Sequence, residues 1–330
     1  MTADVAHLNA TAEDPGHSRR RHLRRLVGIA LLVLVAVFVA IALKRNWDAI
    51  RADLGLLSPL DYLASSLSAV AGLFLLWASW LAVLNGLGTR MAHRDSQTIY
   101  FAAQLGKYVP GSVWPAVIQT RLGQRNGAPR SVMLTCYALW AASLCAVGGA
   151  FSALLLTDSR VQIPFAVLLG CVIAALLLVP VVLHDRGLPQ LVSWLFAKSG
   201  RVVPELRVET PSARLSVAFS AATWLVFGLH AWFLARPLGA SLSDLPLVIG
   251  AFALAFVVGV LAVPLPAGAG LREVVLVLTL GAVIGRPGAI TVALISRLIM
   301  ILAELLLASL TGVPGAIRWA RTETLETRVD

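Results

Sequence analysis

Charged residues are scarce in this chain. They make up 13% of 330 residues, against about 25% in an ordinary soluble domain. Hydrophobic residues reach 58% and the mean hydropathy is positive. No soluble core uses that much apolar surface, so the composition defines an integral membrane protein. Cysteine is also scarce. Cys136, Cys145 and Cys171 all lie in apolar stretches; an odd, embedded set excludes a disulfide framework and fits a packing role. No spacing resembles a metal site. There is no phosphate-binding P-loop, no Gly-x-Ser-x-Gly elbow and no His-Glu-x-x-His. Neither cofactor nor metal is expected, an enzyme is not expected, and any transport is passive or ion-coupled.

What the chain does carry is positive charge beside apolar runs. The net charge is +10, but its placement is that of the positive-inside rule and of anionic lipid headgroups, and no nucleic-acid partner is expected. Arg19, Arg20, Arg21, Arg24 and Arg25 precede an uncharged run over 26–43, which Lys44-Arg45 closes. The run is long for the apolar part of a signal peptide and reads as an uncleaved first transmembrane helix. Residues 1–18 read as a disordered tail.

Spanning segments are expected at 26–43, 60–87, 131–156, 163–183, 214–235 and 289–313, each with room for the roughly 20 apolar residues that cross a bilayer. Two further regions are broken by proline and glycine, at Gly106-Lys107-Tyr108-Val109-Pro110-Gly111 and at Pro264-Leu265-Pro266-Ala267-Gly268-Ala269-Gly270. Their flanks (97–109 with 112–122, and 245–263 with 271–285) include arms too short to cross alone, so each pair reads as a re-entrant helix–turn–helix. Broken helices survive at membrane depth only where protein or a wet cavity surrounds the freed backbone, and in transporters they mark the substrate site.

With both termini in the cytoplasm, eighteen of the 27 Lys and Arg lie inside and six outside; Lys107, Arg272 and Arg297 remain within the membrane. Reading both halves of the first broken pair as full spans gives the same parity, and it is their length that excludes it. By parity the second pair enters from the opposite side. Units 60–156 and 214–313 then share one plan, span, broken pair, span, and each has a Gly/Pro turn about 20 residues after its break (Gly127-Ala128-Pro129; Arg286-Pro287-Gly288). The fold expected is therefore all-α: about six transmembrane helices plus two opposed re-entrant hairpins, as an inverted repeat within 19–315, with a cytoplasmic tail at 316–330. Residues 185–213 form either an interfacial helix or an ordinary loop. Trp47, Trp232 and Trp319 sit near span ends, as belt residues do.

Charges inside spans are costly and are functional candidates by default. Five qualify: Lys107, Arg272, Glu273, Arg297 and Glu304. Lys107 at a half-helix C-terminus and Glu273 in a first helical turn match the helix dipole, so simple capping competes with a polar pocket at the two tips. Arg297 and Glu304 share a helix face about 10 Å apart along the axis. Each therefore needs another partner: Glu273 for Arg297, and Lys107 or Arg121 for Glu304. Arg121 and Arg125 read either as snorkelling cations or as headgroup collectors. His230, in an apolar span, reads as a hydrogen-bonded packing residue ahead of a proton relay. Asn85, Gln104, Tyr108 and Gln119 add polar groups near the first break.

The string Leu105-Gly106-Lys107-Tyr108-Val109-Pro110-Gly111-Ser112-Val113-Trp114, with Arg121 and Gly127 after it, resembles the lysylphosphatidylglycerol synthase transmembrane (flippase-like) family. So does Pro266-Ala267-Gly268-Ala269-Gly270-Leu271-Arg272-Glu273, followed by Arg297 and Glu304. The family pattern is close to Pro-Gly-Gly-x-Gly-x-x-Glu; Ala267 stands for its first glycine and is still small enough for close backbone approach. The resemblance covers about 20–315. In the multiple peptide resistance factor branch such a domain moves an aminoacylated phospholipid between leaflets and is fused to an aminoacyl-transferase domain. No such domain follows here, so lysyl transfer is not expected.

The resemblance implies a bacterial inner-membrane translocase for a phospholipid or a polyprenyl-linked lipid. Tyr108, Pro110, Gly111, Pro266, Gly268 and Gly270 would form the tips. Lys107, Arg121, Arg272 and Arg297 would attract phosphate, while Glu273 and Glu304 would hold the arginines or meet a cationic headgroup. Homo-oligomers or an envelope-synthesis enzyme are possible partners. The rivals are an ion-coupled transporter of a soluble solute, a membrane enzyme of lipid-glycan assembly resting on Asp48 and Asp53, and a non-transporting scaffold.

Overall fold

The computed structural model describes residues 44, 47–109, 113–161, 170, 209–262 and 265–326. The expected first helix 26–43, the expected span 163–183, most of segment 185–213 and the tip residues Pro110 and Gly111 lie outside the described residues. Within them the chain is all helix, with no strand. The helices are α1 (Trp47–Leu56), α2 (Pro59–Gly86), α3 (His93–Gln104), α4 (Trp114–Arg125), α5 (Arg130–Ser152), α6 (Thr210–Ala235), α7 (Leu245–Leu261) and α8 (Leu271–Glu326). Five of them are long and apolar enough to cross a membrane: α2, α5, α6, α7 with the short turn before it, and α8. The protein is an all-α, multi-pass integral membrane protein.

Local sequence explains the boundaries. Ser58-Pro59 with Asp61 starts α2. The Ser58 hydroxyl accepts from the Asp61 amide, Asp61 accepts from the Ser58 amide, and Pro59 sits where no donor is needed. Ser241 and Asp244 make the same reciprocal box ahead of α7. α3 and α4 have twelve residues each, about 18 Å at 1.5 Å per residue, well short of a bilayer core of roughly 30 Å.

Several expectations need correction. Asp48 and Asp53 lie on a helix, α1, and Asp53 accepts a hydrogen bond from Thr291 at 2.8 Å. The interruption expected at Arg286-Pro287-Gly288 falls at Gly285, whose φ of 72° only glycine adopts freely; Pro287 already lies in the first turn of the next helical stretch, where its missing N–H costs nothing. α8 runs on to Glu326, so much of the expected tail 316–330 is helical. Segment 210–213, expected in the loop, is the start of α6.

Packing is organised around α2 and α6, which run antiparallel along their whole length. Asp61 pairs with Arg236, Ser65 with His230 and Ser79 with Ser220, and the Glu209 amide donates to Gly86 O. Small residues let the backbones approach, as expected where no hydrophobic effect drives helices together in lipid. A Cβ at Gly72 would lie 2.3 Å from the Phe227 ring; one at Gly228 would lie 2.2 Å from Ile249 Cγ1 and 2.9 Å from its Cα. His230 is fully buried. Its Nδ1 meets Ser65 Oγ at 2.8 Å and its Nε2 meets Ser296 Oγ at 2.9 Å, so it ties α2, α6 and α8 together as a packing residue.

The remaining helices cross over reciprocally between the two units. α3 of the first lies antiparallel against the distal part of α8, with Thr98 Oγ1 donating to Thr311 O at 2.8 Å. α7 of the second lies antiparallel against α5: a Cβ on Gly148 would lie 2.8 Å from Val257, and one on Gly250 would lie 3.1 Å from Phe151 O. Beyond α5, Arg160 bridges Asp158 and Asp244 at 2.6 Å each. Its hydrogen bonds hold the Asp158 carboxyl below the usual carboxylate range.

Gly228→Val is expected to lower stability by roughly 1–3 kcal/mol, the usual cost of overpacking, because the nearest atoms include backbone. Thermal unfolding in detergent measures it; an unchanged midpoint would contradict the close α6–α7 contact.

Candidate functional site

Both breaks are built by backbone constraints. After α3 the chain tightens into a 3-10 turn, Leu105–Tyr108. A Cβ on Gly106 would lie 2.9 Å from Ile118 and 3.0 Å from the Pro115 nitrogen, so only glycine lets the turn seat on the start of α4. At the second break, a Cβ on Gly268 would lie 2.5 Å from Gly259 Cα, and Gly268 is itself at φ 66°. Gly270, at φ 85°, donates its amide to Glu273 Oε2 at 2.7 Å, so Glu273 caps α8.

Ala267 is the one described non-glycine residue with positive φ, at 49°. Its small side chain accommodates close approach, as expected, but the position also demands left-handed backbone, which alanine adopts only at a cost of about 1–2 kcal/mol. The strained turn aims the Ala267 carbonyl at Arg297, whose Nη1 donates to it at 3.0 Å.

The distal part of α8 reaches both breaks from one face. Glu304, 2% exposed, accepts from Lys107 Nζ at 2.5 Å and from the Tyr108 hydroxyl at 2.7 Å. Seven residues earlier Arg297 holds the second break, with Nε 3.7 Å from Glu273 Oε1. The two expected pairings are therefore both formed. Tyr108 joins them as a platform, with Lys107 Nζ 5.5 Å and Arg297 Cζ 6.0 Å from its ring centre.

Arg272 differs. It is 7% exposed. Its guanidinium lies over the faces of Phe252 and Phe256, 4.7 and 5.1 Å from the ring centres. Among the described residues no carboxylate lies within salt-bridge reach of it. Glu273 is taken up by Gly270 and Arg297, and Glu304 by Lys107 and Tyr108, leaving three cations against two anions.

Between the breaks lies a cavity of about 110 Å³. Roughly 10–15 Å³ of such space holds one water, so it has room for a small hydrated polar group. Lys107, Tyr108, Arg272, Arg297 and Glu304 line it, with Ala267 and Gly268 from the second break, Gln104 from the end of α3, and Tyr137 and Trp140 from α5. Val260, also in its wall, is 41% exposed and the adjacent Leu261 is 65% exposed, so the rim is apolar. Of the expected site residues, Arg121 is not brought in: it lies exposed on α4, in a surface hollow with Arg125. Pro266 begins the turn Pro266–Gly268 of the second break, and Gly270 shapes that break without lining the cavity. Trp140, Phe252 and Phe256 were not anticipated. One signal was present, since tryptophan in mid-span, away from the interfacial belt, has an N–H to satisfy.

Five transmembrane-length helices and a buried ionic site at two helix breaks define a polytopic membrane protein with a polar centre. Residues 25–308 match the family model described as the lysylphosphatidylglycerol synthase TM region, and the chain belongs to that family. Comparison with curated proteins gives no match.

Replacing Lys107 by Met leaves Glu304 buried and uncompensated, and is expected to cost about 3–5 kcal/mol. Lys107→Met combined with Glu304→Leu is expected to recover most of that loss; a double variant no more stable than Lys107→Met would refute the pairing. Ala267→Gly is expected to gain roughly 0.5–1 kcal/mol, relief of strain less added unfolded-chain entropy. A lower melting temperature would contradict it.

Proposed function

We propose that this protein is a lipid translocase, moving a phosphate-bearing lipid or a lipid-linked glycan between leaflets through the cavity between the two breaks. The observation that carries this reading is the convergence of Lys107 and Arg272, one from each broken segment, with Arg297 and Glu304 from the distal part of α8, on one cavity with an exposed apolar rim. A headgroup finds charge inside, while its acyl or prenyl chains stay against Val260 and Leu261. A solute carrier has no use for an apolar rim open to the bilayer. The family, a lipid-related membrane family, agrees with this.

On this reading the broken segments are re-entrant hairpins entering from opposite faces, and the units form an inverted repeat. The antiparallel α2–α6 pair and the reciprocal packing of α3 on α8 and α7 on α5 support that symmetry. With no nucleotide-binding element in the sequence, movement is passive or ion-coupled. The Lys and Arg bias supports cytoplasmic termini, and the family resemblance supports a bacterial cell membrane.

The test is lipid movement in proteoliposomes, read from the access of fluorescent phospholipids to an impermeant quencher. Wild type is expected to accelerate loss of inner-leaflet signal. The Lys107→Met/Glu304→Leu variant is expected to stay folded and lose that acceleration. Folded wild type that moves no phosphate lipid would overturn the proposal.

A further inference from the structure

The distal α8 face of the cavity is fully engaged, since Arg297 and Glu304 each have a partner. The opposite wall is not. Gln104, 9% exposed, ends α3; Trp140, 6% exposed, lies in mid-α5. Gln104 Nε2 and Trp140 Nε1 are buried and have no hydrogen-bond partner among the described residues. A buried donor without an acceptor forfeits a hydrogen bond's full desolvation cost, and native proteins leave few such groups without a reason. The third unmatched group is Arg272, whose contacts are aromatic faces. Cation–π contacts recover less than it costs to bury an ion. All three line the same cavity, and all three are donors; an indole N–H and a guanidinium cannot accept at all.

We infer that Trp140, Gln104 and Arg272 form an oxyanion cradle that takes a phosphate group, the phosphodiester of a lipid headgroup or free phosphate. This rests on the translocase reading for its biological setting, but it concerns recognition and not movement. One bound phosphodiester carries the single negative charge that balances Arg272, and its unesterified oxygens accept from the indole, the amide and the guanidinium. Glu304 keeps Lys107 and Tyr108, so binding does not require the α8 contacts to break. The cradle recognises the phosphate itself through these three donors.

Binding to the full chain in detergent micelles tests this without any need for transport. The probes are dihexanoyl phosphatidylglycerol, inorganic phosphate, and dihexanoylglycerol as the neutral control. Trp140→Phe keeps the ring and removes the N–H; Gln104→Met keeps the length and removes the amide. Trp77→Phe, on the remote Ser96 contact, is the control for an indole lost elsewhere. Each of the first two is expected to weaken phosphate binding about tenfold, as for loss of a hydrogen bond to a charged group, with melting temperature and neutral-lipid binding unchanged. A response with the phospholipid alone assigns the cradle to headgroups; a response with inorganic phosphate too assigns it to phosphate from either source. Phosphate binding that Trp140→Phe and Gln104→Met leave intact, or wild type that binds the neutral and phosphorylated lipids equally, overturns the cradle. In that case proteoliposome transport by wild type would leave the translocase reading standing. Conversely, weakened binding in the variants with no transport by wild type would uphold the cradle and sink the translocase.

Discussion

Everything at the centre of this protein depends on how the distal part of α8 meets the two breaks. A chain that leaves helix geometry inside a membrane exposes backbone and charge that lipid cannot satisfy. Here one helix face supplies the remedy twice. Glu304 gathers Lys107 and Tyr108 from the first break, and Arg297 gathers the Ala267 carbonyl and Glu273 at the second. A buried pair of this kind adds little net stability, because desolvation offsets attraction, but losing either partner is costly. Its effect is to fix position: it sets the two tips against each other with a small polar space between them.

The rest of the fold holds that face in register. Small residues bring α2 and α6 together along their full length, with His230 linking both to Ser296 on α8, one residue from Arg297. α3 lies on α8 and α7 on α5, so each broken segment is backed by a helix of the other unit. The arrangement is unequal in chemistry. The distal α8 side of the cavity is charged and self-satisfied through Arg297 and Glu304, whereas Gln104 Nε2 and Trp140 Nε1 have no hydrogen-bond partner among the described residues. A bound anion would balance that inequality, and Val260 and Leu261 make the rim of the cavity apolar.

Much of this was legible in the sequence. Long apolar runs pointed to the helices α2, α5 and α6, and the two proline–glycine breaks with their embedded charges pointed to the site. The spacing of Arg297 and Glu304 already required separate partners. Other features depend on three-dimensional detail that pattern does not carry. The turn near Arg286 falls at Gly285, because proline is tolerated inside a first helical turn. Ala267 fits the space of a glycine but not its backbone angle. Arg121, three residues past Ile118 on α4, turns outward although its charge and its distance from the break matched the other cations. Trp140 and the Phe252–Phe256 platform are apolar by type, and only the packing reveals one unmatched N–H and a guanidinium laid on two rings.

The most direct measurement is an electron cryomicroscopy structure of the full chain in nanodiscs containing phosphatidylglycerol. The account requires headgroup density within hydrogen-bond reach of Arg272 and Trp140, acyl chains leaving past Val260, and Glu304 still joined to Lys107. Lipid density confined to the outer apolar faces, with the two breaks apart and Glu304 away from Lys107, would contradict it.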